Sequence, residues 1–339
     1  MTETILVTGV AGFIGSALAE RLLPDYHVLG VDDLSKGDEE HMRGLAGPRF
    51  EFLEKDVLTL NQGDLAAAHG PIVSVVHLAA ISALPECQED PVRAYRSNVL
   101  GTIHVLELAR RHPIRNLVFG STSAIYENSE EELLTEATEA QPDLVYPMTK
   151  FHCEGLLRAY SLNYGLPVAI VRFFNAYGPR MDSRRMSPPL IAYCIRELCL
   201  GRTPILHSDG EQRRDYVYVD DIVDLLVILM RATTAGLSVT NACTGRAYSV
   251  NEIYAEIQRA LGTERPAAFA AGDRYWAHYP GLVEGVYTLR PERVAREVDK
   301  FALGSNALAA NAVGWHPRTT FEDGIARTVE YFRGRWQRT

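Results

Sequence analysis

A tyrosine and a lysine stand four residues apart in the segment VYPMTK, as Tyr146 and Lys150. Proline is tolerated in the first turn of a helix, so Pro147 predicts that a helix begins here and that the two side chains lie over one face. A protonated ammonium near a phenol stabilises the phenolate and lowers the phenol pKa from about 10, which would let Tyr146 act as an acid or a base near neutral pH. The same spacing also occurs on solvated helix faces, so the pair alone does not establish a catalytic role.

A glycine-rich segment near the start of the chain is typical of a phosphate-binding turn. The sequence ILVTGVAGFIGSALAERLL reads as a strand, then three glycines at intervals of three residues, then a helix. Gly9 would make the tight turn, Gly12 would let the backbone approach a pyrophosphate, and Gly15 would let helix and strand pack closely. Asp32 ends the next strand, where a carboxylate accepts hydrogen bonds from a ribose diol and repels a 2′-phosphate. The segment therefore predicts a dinucleotide site that favours NAD over NADP.

The elements that would hold these residues alternate in a βαβ rhythm. Six short apolar runs, from ILVTG to LPVAIVRFF, read as parallel strands buried on both faces. Segments 97–111 and 146–164 read as two of the covering helices. The pattern predicts an α/β protein with a Rossmann-type doubly wound parallel sheet.

A second, smaller α/β lobe is predicted after the sequence GPR at 178–180, where the rhythm breaks. We expect residues 1–175 to form the NAD-binding domain, with a returning segment near 216–245. The intertwined substrate lobe then comprises residues 176–215 and 246–339.

Composition excludes several classes of protein. The chain has 339 residues, of which 47% are hydrophobic and 23% charged, and its net charge of −9 comes from 34 basic and 43 acidic residues without a lysine-arginine block. These values argue against a nucleic-acid partner or an anionic membrane surface. The N-terminus lacks the pattern of a secretory leader, so we expect a cytoplasmic protein. The odd number of cysteines and the lack of C-x-x-C spacing indicate neither a disulfide framework nor a metal site. The cysteines are Cys87, Cys153, Cys194, Cys199 and Cys243.

With these motifs, the chain resembles the extended short-chain dehydrogenases/reductases, in the branch of nucleotide-sugar epimerases and dehydratases. The resemblance rests on T-G-x-x-G-x-x-G at 8–15 together with the tyrosine and lysine of VYPMTK. It extends over nearly the whole chain, through VDDLSKG at 31–37, KDV at 55–57, HLAA at 77–80, SNVLGT at 97–102, STSAIY at 121–126, VRFFNAYGPR at 171–180, DGEQRRDYVYVDD at 209–221 and LRP at 289–291.

The resemblance implies a set of NAD contacts. It places Gly12, Phe13, Ile14 and Gly15 at the pyrophosphate, Asp32 at the adenosine ribose, Asp56 and Val57 at the adenine, Leu78, Ala79 and Ala80 along the cofactor, Asn98 at the nicotinamide end, and Tyr146 and Lys150 at the nicotinamide ribose and the reacting carbon. It also places Thr122 where the family has a hydroxyl between the sugar oxygen and the tyrosine. A hydroxyl both donates and accepts, so it can relay a proton.

On the substrate side, the resemblance implies that Asn175, Arg214 and Arg290 hold the diphosphate of a UDP-sugar, with charge-assisted hydrogen bonds from the arginines. His207 stands where the family often has an aromatic ring against the uracil, and an imidazole can also stack. Glu127 departs from the family pattern, which commonly has glycine after the tyrosine of STSAIY.

The residues after Thr122 bear on the reaction. The 4,6-dehydratases of the family have Thr-Asp-Glu here and the uronate decarboxylases have Thr-Ser-Glu, whereas this chain has Thr122-Ser123-Ala124. Without the carboxylate, the simplest outcome is that a 4-keto intermediate receives its hydride back on the other face, which is 4-epimerisation. A dehydratase or decarboxylase, a net dehydrogenase or reductase, and a non-catalytic NAD-binding regulator are the alternatives.

The loop MDSRRMSPP resembles the uronic-acid 4-epimerases of the family. A C6 carboxylate in a water-poor pocket needs a cation or several donors, which Arg184 or Arg185 and Ser123 could supply. UDP-glucuronate is therefore favoured over UDP-glucose and UDP-N-acetylglucosamine, although both arginines are equally compatible with an exposed loop. Helices 97–111 and 146–164 also resemble the pair that forms the dimer interface of the family, so a homodimer is expected.

Overall fold

The computed structural model describes residues 2–232 and 236–336. Its strands are β1 (Thr4–Thr8), β2 (His27–Asp32), β3 (Phe50–Glu54), β4 (Ile72–His77), β5 (Asn116–Thr122), β6 (Val168–Phe173), β7 (Asn175–Tyr177), β8 (Ile205–His207), β9 (Arg213–Tyr218), β10 (Leu237–Ala242), β11 (Ala247–Ser249) and β12 (Ala268–Ala270). Its α-helices are α1 (Phe13–Leu22), α2 (Gln62–Ala66), α3 (Leu84–Glu89), α4 (Pro91–Tyr95), α5 (Gly101–Ala109), α6 (Val145–Tyr164), α7 (Leu190–Cys199), α8 (Val219–Arg231), α9 (Val250–Leu261), α10 (Pro280–Val283), α11 (Pro291–Val298), α12 (Ala307–Val313) and α13 (Phe321–Trp336).

Seven strands form the central sheet in the order β10-β6-β5-β4-β1-β2-β3, and every neighbouring pair is parallel. Strands β1 and β5 are buried along their whole length, as expected for apolar strands covered on both faces. The predicted Rossmann-type doubly wound sheet is confirmed. The strand order reverses between β1 and β4, and in such sheets ligands bind beyond the carboxyl ends of the strands at this point.

The smaller sheets lie in the second half of the chain. Strands β11, β9 and β7 form a three-stranded sheet, and β12 pairs with β8. Between β9 and β11 the chain returns to the large sheet, because α8 packs on β4 and β5 and β10 extends the sheet beside β6. The exact domain boundaries stay a prediction.

The predicted helix over 97–111 differs in one respect from the structure. It begins as a π-helix at Arg96–Leu100 and continues as α5. A π-turn lets one extra residue enter the helical path, and such turns often lie near functional sites. The predicted helix over 146–164 matches α6 to within one residue.

No helix of residues 2–232 and 236–336 is long and apolar enough to cross a bilayer. In the same part of the chain, no group of three or more His, Cys, Asp or Glu side chains could hold a metal ion. The five cysteines are free thiols.

Candidate active site

A cavity of about 400 Å³ opens at the carboxyl ends of the central strands, and residues of both halves of the chain line it. Most of the residues that the sequence predicted for the site lie along its wall. These are Gly9, Gly12, Phe13, Ile14, Gly15, Asp32, Asp56, Val57, Leu78, Ala79, Ala80, Thr122, Tyr146, Lys150 and Arg185. The structure therefore brings these side chains together, while the role of each stays a prediction.

The glycine turn after β1 fits a dinucleotide phosphate. Gly9 has a φ of +74°, and a Cβ there would lie 2.7 Å from the amide nitrogen of Ala79. A Cβ on Gly15 would lie 2.0 Å from the carbonyl oxygen of Gly9, so only glycine allows this packing of α1 on the turn. Gly12 is the N-cap of α1 and has no side chain to cap the helix. The first N–H groups of α1, which have no partner within the helix, are therefore suited to an anion.

Asp32 lies at the end of β2 and lines the cavity beside this turn. Its Oδ2 accepts a hydrogen bond from the Ala11 amide at 3.0 Å, and its Oδ1 accepts one from the Leu34 amide at 2.9 Å. Burial raises the pKa of Asp32, and the two backbone donors oppose this shift. Each carboxylate oxygen has a second lone pair, so the group can still accept from a ribose diol. The glycine turn and Asp32 thus match the chemistry of NAD.

Tyr146 and Lys150 stand one turn apart near the start of α6. Thr122, at the end of β5, lies across from Tyr146. The Lys150 Nζ donates to the carbonyl oxygen of Gly120 at 2.7 Å, and burial lowers the pKa of Lys150 to about 8. Burial also raises the pKa of Tyr146, while its side-chain hydrogen bond with Thr122 and the positive charge of Arg185 lower it.

This electrostatic balance differs from the sequence-based expectation. We expected Lys150 to lower the pKa of Tyr146, but the groups that lower it here are Thr122 and Arg185. The reason is that burial lowers the pKa of Lys150 to about 8 and raises that of Tyr146, so the lysine loses its charge before the phenol ionises. The hydroxyl of Thr122 is the group in contact with the phenol, as the proton relay requires.

Asn98 does not lie on the described cavity wall, where it was expected at the nicotinamide end. It is buried in the π-helix, where its Oδ1 accepts from the Ile81 amide at 2.8 Å. Its Nδ2 donates to the Ile81 carbonyl and to Thr149 Oγ1, both at 3.0 Å. Asn98 therefore ties the cavity-lining Ile81 to helix α6, and both N–H donors of its amide are used by these bonds.

The predicted diphosphate and uracil ligands also lie off the described cavity wall. Asn175 Nδ2 donates to the Asp215 carbonyl at 2.9 Å, and His207 Nδ1 lies 3.3 Å from the Ala271 carbonyl oxygen. Arg214 donates to backbone carbonyls around the end of α11, and Arg290 is exposed as the N-cap of α11. These residues lie in the second half of the chain, and their roles stay predictions.

The two arginines of the 181–189 loop point in different directions. Arg184 is 58% exposed and lies 3.6 Å from Asp38 and 3.7 Å from Glu40. Arg185 lines the cavity and donates through Nε to the Ser187 carbonyl at 2.8 Å. Of the two arginines that were predicted to reach the pocket, Arg185 is the one on the described cavity wall.

Ser123 was also expected in the pocket, but it is not one of the described cavity-lining residues. Ser123 directly follows Thr122 and begins a short 3-10 turn, in which successive side chains point in different directions. The neighbouring Ser121 does line the cavity, although its hydroxyl donates to Glu154 at 2.6 Å.

Two lysines on the cavity wall were not predicted from the sequence. Lys36 and Lys55 line the cavity beside the residues predicted for the adenosine. Lys36 pairs with Glu86 at 2.5 Å, and Lys55 pairs with Asp64 at 2.5 Å. Both lie within segments that already carried the resemblance, VDDLSKG and KDV, and their charge suits the phosphates of a dinucleotide.

The chain matches a known protein family and a relative of similar length. The model of the "NAD dependent epimerase/dehydratase family" matches residues 5–244. A "UDP-glucose 4-epimerase" of Mycolicibacterium smegmatis is 33% identical over 335 residues, which cover 98% of this chain and 99% of that protein.

Solved structures share the fold over the same length. A UDP-glucose 4-epimerase of Thermotoga maritima, determined with UDP-glucose, is 27% identical with a TM-score of 0.84, and the match covers 98% of this chain and 99% of that one. A UDP-glucuronic acid 4-epimerase of Bacillus cereus has the same fold, with 24% identity, a TM-score of 0.83 and the same coverage.

Proposed function

Because the chain belongs to the NAD dependent epimerase/dehydratase family, we propose that it catalyses the NAD-dependent 4-epimerisation of a UDP-sugar and that UDP-glucuronate is its preferred substrate. The observation that supports the reaction is that Thr122, Tyr146 and Lys150 line the same cavity as the glycine turn and Asp32. The cavity therefore combines groups that can move a proton with groups that suit a dinucleotide.

The chain's own residues would handle the proton of the sugar C4 hydroxyl. Tyr146 takes this proton as C4 is oxidised and gives it back as C4 is reduced, and Thr122 relays it through its hydroxyl. Lys150, whose Nζ donates to the Gly120 carbonyl on the same wall, would donate to a ribose hydroxyl of the cofactor. The glycine turn and Asp32 would hold NAD, which would supply the acceptor and donor of the C4 hydride that epimerisation needs.

The sequence after Thr122 favours epimerisation over elimination or decarboxylation. Loss of water or of carbon dioxide needs a further acid or base, and the family members that perform these reactions have a carboxylate within two residues of the threonine. Ser123 and Ala124 provide none. Mass spectrometry of the product is expected to show the mass of the substrate, and a loss of water or carbon dioxide would contradict the proposal.

Arg185 supports a substrate with a carboxylate. Its charge lies on the wall of the cavity, close enough to lower the pKa of the Tyr146 phenol. Among the described residues, its bond through Nε to Ser187 leaves the two terminal amino groups of the guanidinium without a hydrogen-bonded protein acceptor. A planar guanidinium with free donors fits a carboxylate, and an unpaired carboxylate in such a cavity would be costly.

UDP-glucose is the second candidate. The Mycolicibacterium relative and the Thermotoga structure both carry this sugar in their names, and Arg185 could alternatively meet the diphosphate that every UDP-sugar has. In that case its positive charge would serve all substrates equally. A comparison of kcat/KM values would also distinguish UDP-N-acetylglucosamine from these two sugars.

The test compares kcat/KM for UDP-glucuronate, UDP-glucose and UDP-N-acetylglucosamine in the wild type and in Arg185→Ala. If Arg185 binds the carboxylate, the variant loses about 10- to 100-fold for UDP-glucuronate, the worth of a charge-assisted hydrogen bond, and little for the neutral sugars. Arg184→Ala is the matched control and is expected to leave all three values near the wild type. Equal losses for the three sugars in Arg185→Ala would assign this residue to the diphosphate, and a wild-type preference for a neutral sugar would remove UDP-glucuronate.

A cytoplasmic homodimer completes the proposal. The homodimer is supported by an apolar groove beside α5 and α6, whose described lining includes Val99, Ile103, Phe151 and Leu156.

A further inference from the structure

Glu127 is a buried carboxylate that the proposed reaction does not use. Its side chain is 1% exposed, and it follows the 3-10 turn Ser123–Tyr126 directly. Thr122 begins the same turn and accepts the Ala124 amide through its hydroxyl at 3.1 Å. Thr122, which bonds to the Tyr146 phenol, thus lies at one end of a short turn, and Glu127 lies at the other end.

Glu127 binds the two residues that lead into the helix carrying Tyr146 and Lys150. Leu144 is the N-cap of α6, and its apolar side chain makes no capping hydrogen bond. Instead, Oε1 of Glu127 accepts the amides of Asp143 at 2.5 Å and Leu144 at 2.8 Å. The first amide of the helix itself, that of Val145, donates to Oε1 of Gln88 at 3.1 Å, and a carboxylate next to a helix N-terminus is favoured by the helix dipole. The start of the catalytic helix is therefore fixed from outside the helix.

The other oxygen of Glu127 reaches the second half of the chain. Oε2 pairs with the guanidinium of Arg293 on α11, and Nε of Arg293 donates to Asp143 Oδ1 at 2.6 Å. Arg293 is 12% exposed, so most of the pair is removed from water. Arg293 thus binds both the Glu127 carboxylate and Asp143, the residue before the N-cap Leu144.

Helix α11 is in turn attached to the residues predicted for the diphosphate. Arg290 is its N-cap. Arg214 donates to the backbone carbonyls of Glu297 at 2.6 Å and Lys300 at 3.2 Å, at the far end of the helix. A change in the position of α11 would therefore be transmitted through Arg293 and Glu127 to Asp143 and Leu144, the residues that lead into α6.

We propose that Glu127 and Arg293 are positioning residues that couple helix α11 to the start of α6, so that nucleotide bound beside α11 stiffens the turn that holds Tyr146 against Thr122. The proposal rests on the proposed function, because it takes a nucleotide diphosphate as the occupant of the α11 side. It requires no contact between Glu127 and the substrate.

The charge of Glu127 is sensitive to pH near neutrality. Burial raises the pKa of Glu127 to about 7, while the amides of Leu144 and Asp143 and the charge of Arg293 oppose the shift. The charged groups that face it are Asp143 ahead of α6, Arg293 and Glu297 on α11, and Lys300 beyond α11. Because the folded-state pKa is raised, the carboxyl becomes neutral below about pH 7 and its ion pair with Arg293 is lost.

The first measurement is hydrogen–deuterium exchange of residues 143–150 with and without UDP. In the wild type, UDP is expected to slow exchange in this segment. In Glu127→Gln, whose amide can still accept a backbone N–H but cannot pair as an ion with Arg293, the slowing by UDP should be lost. Equal slowing in wild type and variant would overturn the coupling, whereas a wild type that does not bind UDP would instead contradict the proposed function.

The second measurement separates kcat from KM. Glu127→Gln is expected to lower kcat about 10-fold with KM and UDP affinity within about twofold, because the variant misplaces Tyr146 without touching the nucleotide. The wild-type kcat should also fall below about pH 7, and the variant should lack that decline. A kcat at the wild-type value, or an equal loss in UDP affinity, would overturn the proposal.

Two further variants complete the test. Glu252→Gln is the matched control, because Glu252 belongs to the capping box of α9 and pairs with Arg213 at 2.9 Å away from the described cavity. It should leave kcat and the UDP effect unchanged. If Glu127→Gln does not fold, Arg293→Lys decides, since a lysine keeps the charge but cannot bind Glu127 and Asp143 in the same forked geometry, and an unchanged kcat in that variant would overturn the proposal.

Discussion

Tyr146 and Lys150 show how burial sets the acid–base chemistry of single residues. Burial alone raises the pKa of the phenol and lowers that of the ammonium, so both groups are pushed toward their neutral forms. The hydroxyl of Thr122 and the charge of Arg185 act against this at Tyr146. A negatively charged substrate close to Arg185 would offset that charge, so the identity of the sugar and the basicity of Tyr146 are linked.

Replacing Tyr146 with phenylalanine removes the proton-moving hydroxyl and leaves the ring. We expect kcat to fall roughly 10²- to 10⁴-fold, the usual effect of losing a general acid or base. NAD content and UDP affinity should stay near the wild type, because the glycine turn and Asp32 are unchanged. Tyr160→Phe on the same helix is the control, since its hydroxyl bonds to Glu107 at 2.7 Å outside the described cavity. Wild-type turnover in Tyr146→Phe would remove the assignment.

At the scale of elements, local sequence patterns predicted what the backbone does. Alternating apolar runs predicted the strands, and Pro147 predicted the start of α6, which begins two residues earlier at Val145. The glycine spacing predicted the turn after β1. These features depend on neighbours in sequence, so a single chain carries enough information to find them.

Side-chain directions were harder to predict because they depend on contacts distant in sequence. Arg184 and Arg185 are adjacent, yet Asp38 and Glu40 hold the first at the surface while the second lines the cavity. Asn98 was predicted to face NAD, which stays a prediction, and its bonds to Ile81 and Thr149 could not be read from the sequence. The contact of Glu127 with the residues that lead into α6 has no local signal apart from the missing cap at Leu144 and the unusual Glu127.

The turn between β1 and α1 gives the sharpest prediction at this scale. An alanine at Gly15 would place its Cβ 2.0 Å from the Gly9 carbonyl oxygen, so the backbone of the turn must move. We expect Gly15→Ala to lose bound NAD and to unfold at a lower temperature. Gly334→Ala in α13 is the control, because nothing lies within 4 Å of its Cβ. It should retain NAD and gain roughly 0.5–1 kcal/mol in the free energy of unfolding. Full NAD content in Gly15→Ala, measured by absorbance of the released cofactor, would contradict this interpretation of the turn.

At the scale of the whole molecule, ion pairs join the two halves of the chain around the cavity. Arg335 on the last helix pairs with Asp38 at 2.8 Å, beyond the end of β2. Arg293 joins α11 to Glu127 on the opposite side. Family membership and the choice of NAD, both expected from the sequence, are confirmed by the comparisons. The position of the second half against the first could not be read from sequence, because these pairs join residues more than a hundred positions apart.

The groove beside α5 and α6 leads to the last prediction, which concerns the assembly. Phe151 is 40% exposed on α6, and the groove that it lines has a volume of about 570 Å³. An apolar groove of this kind is unfavourable in water and is a candidate for burial against a second copy. Size-exclusion chromatography with light scattering is expected to give twice the chain mass of 37.7 kDa for the wild type.

Phe151→Glu would place a charge in that groove and is expected to give the monomer mass, because two like charges would face each other across a symmetric interface. Val286→Glu is the control, since Val286 is 89% exposed on a loop outside both helices, and it should remain a dimer. Because a bound partner copy stabilises the folded state, the monomeric variant should also unfold at a lower temperature than the dimeric wild type. A wild-type monomer, or a Phe151→Glu variant that stays dimeric, would show that this face is not the interface.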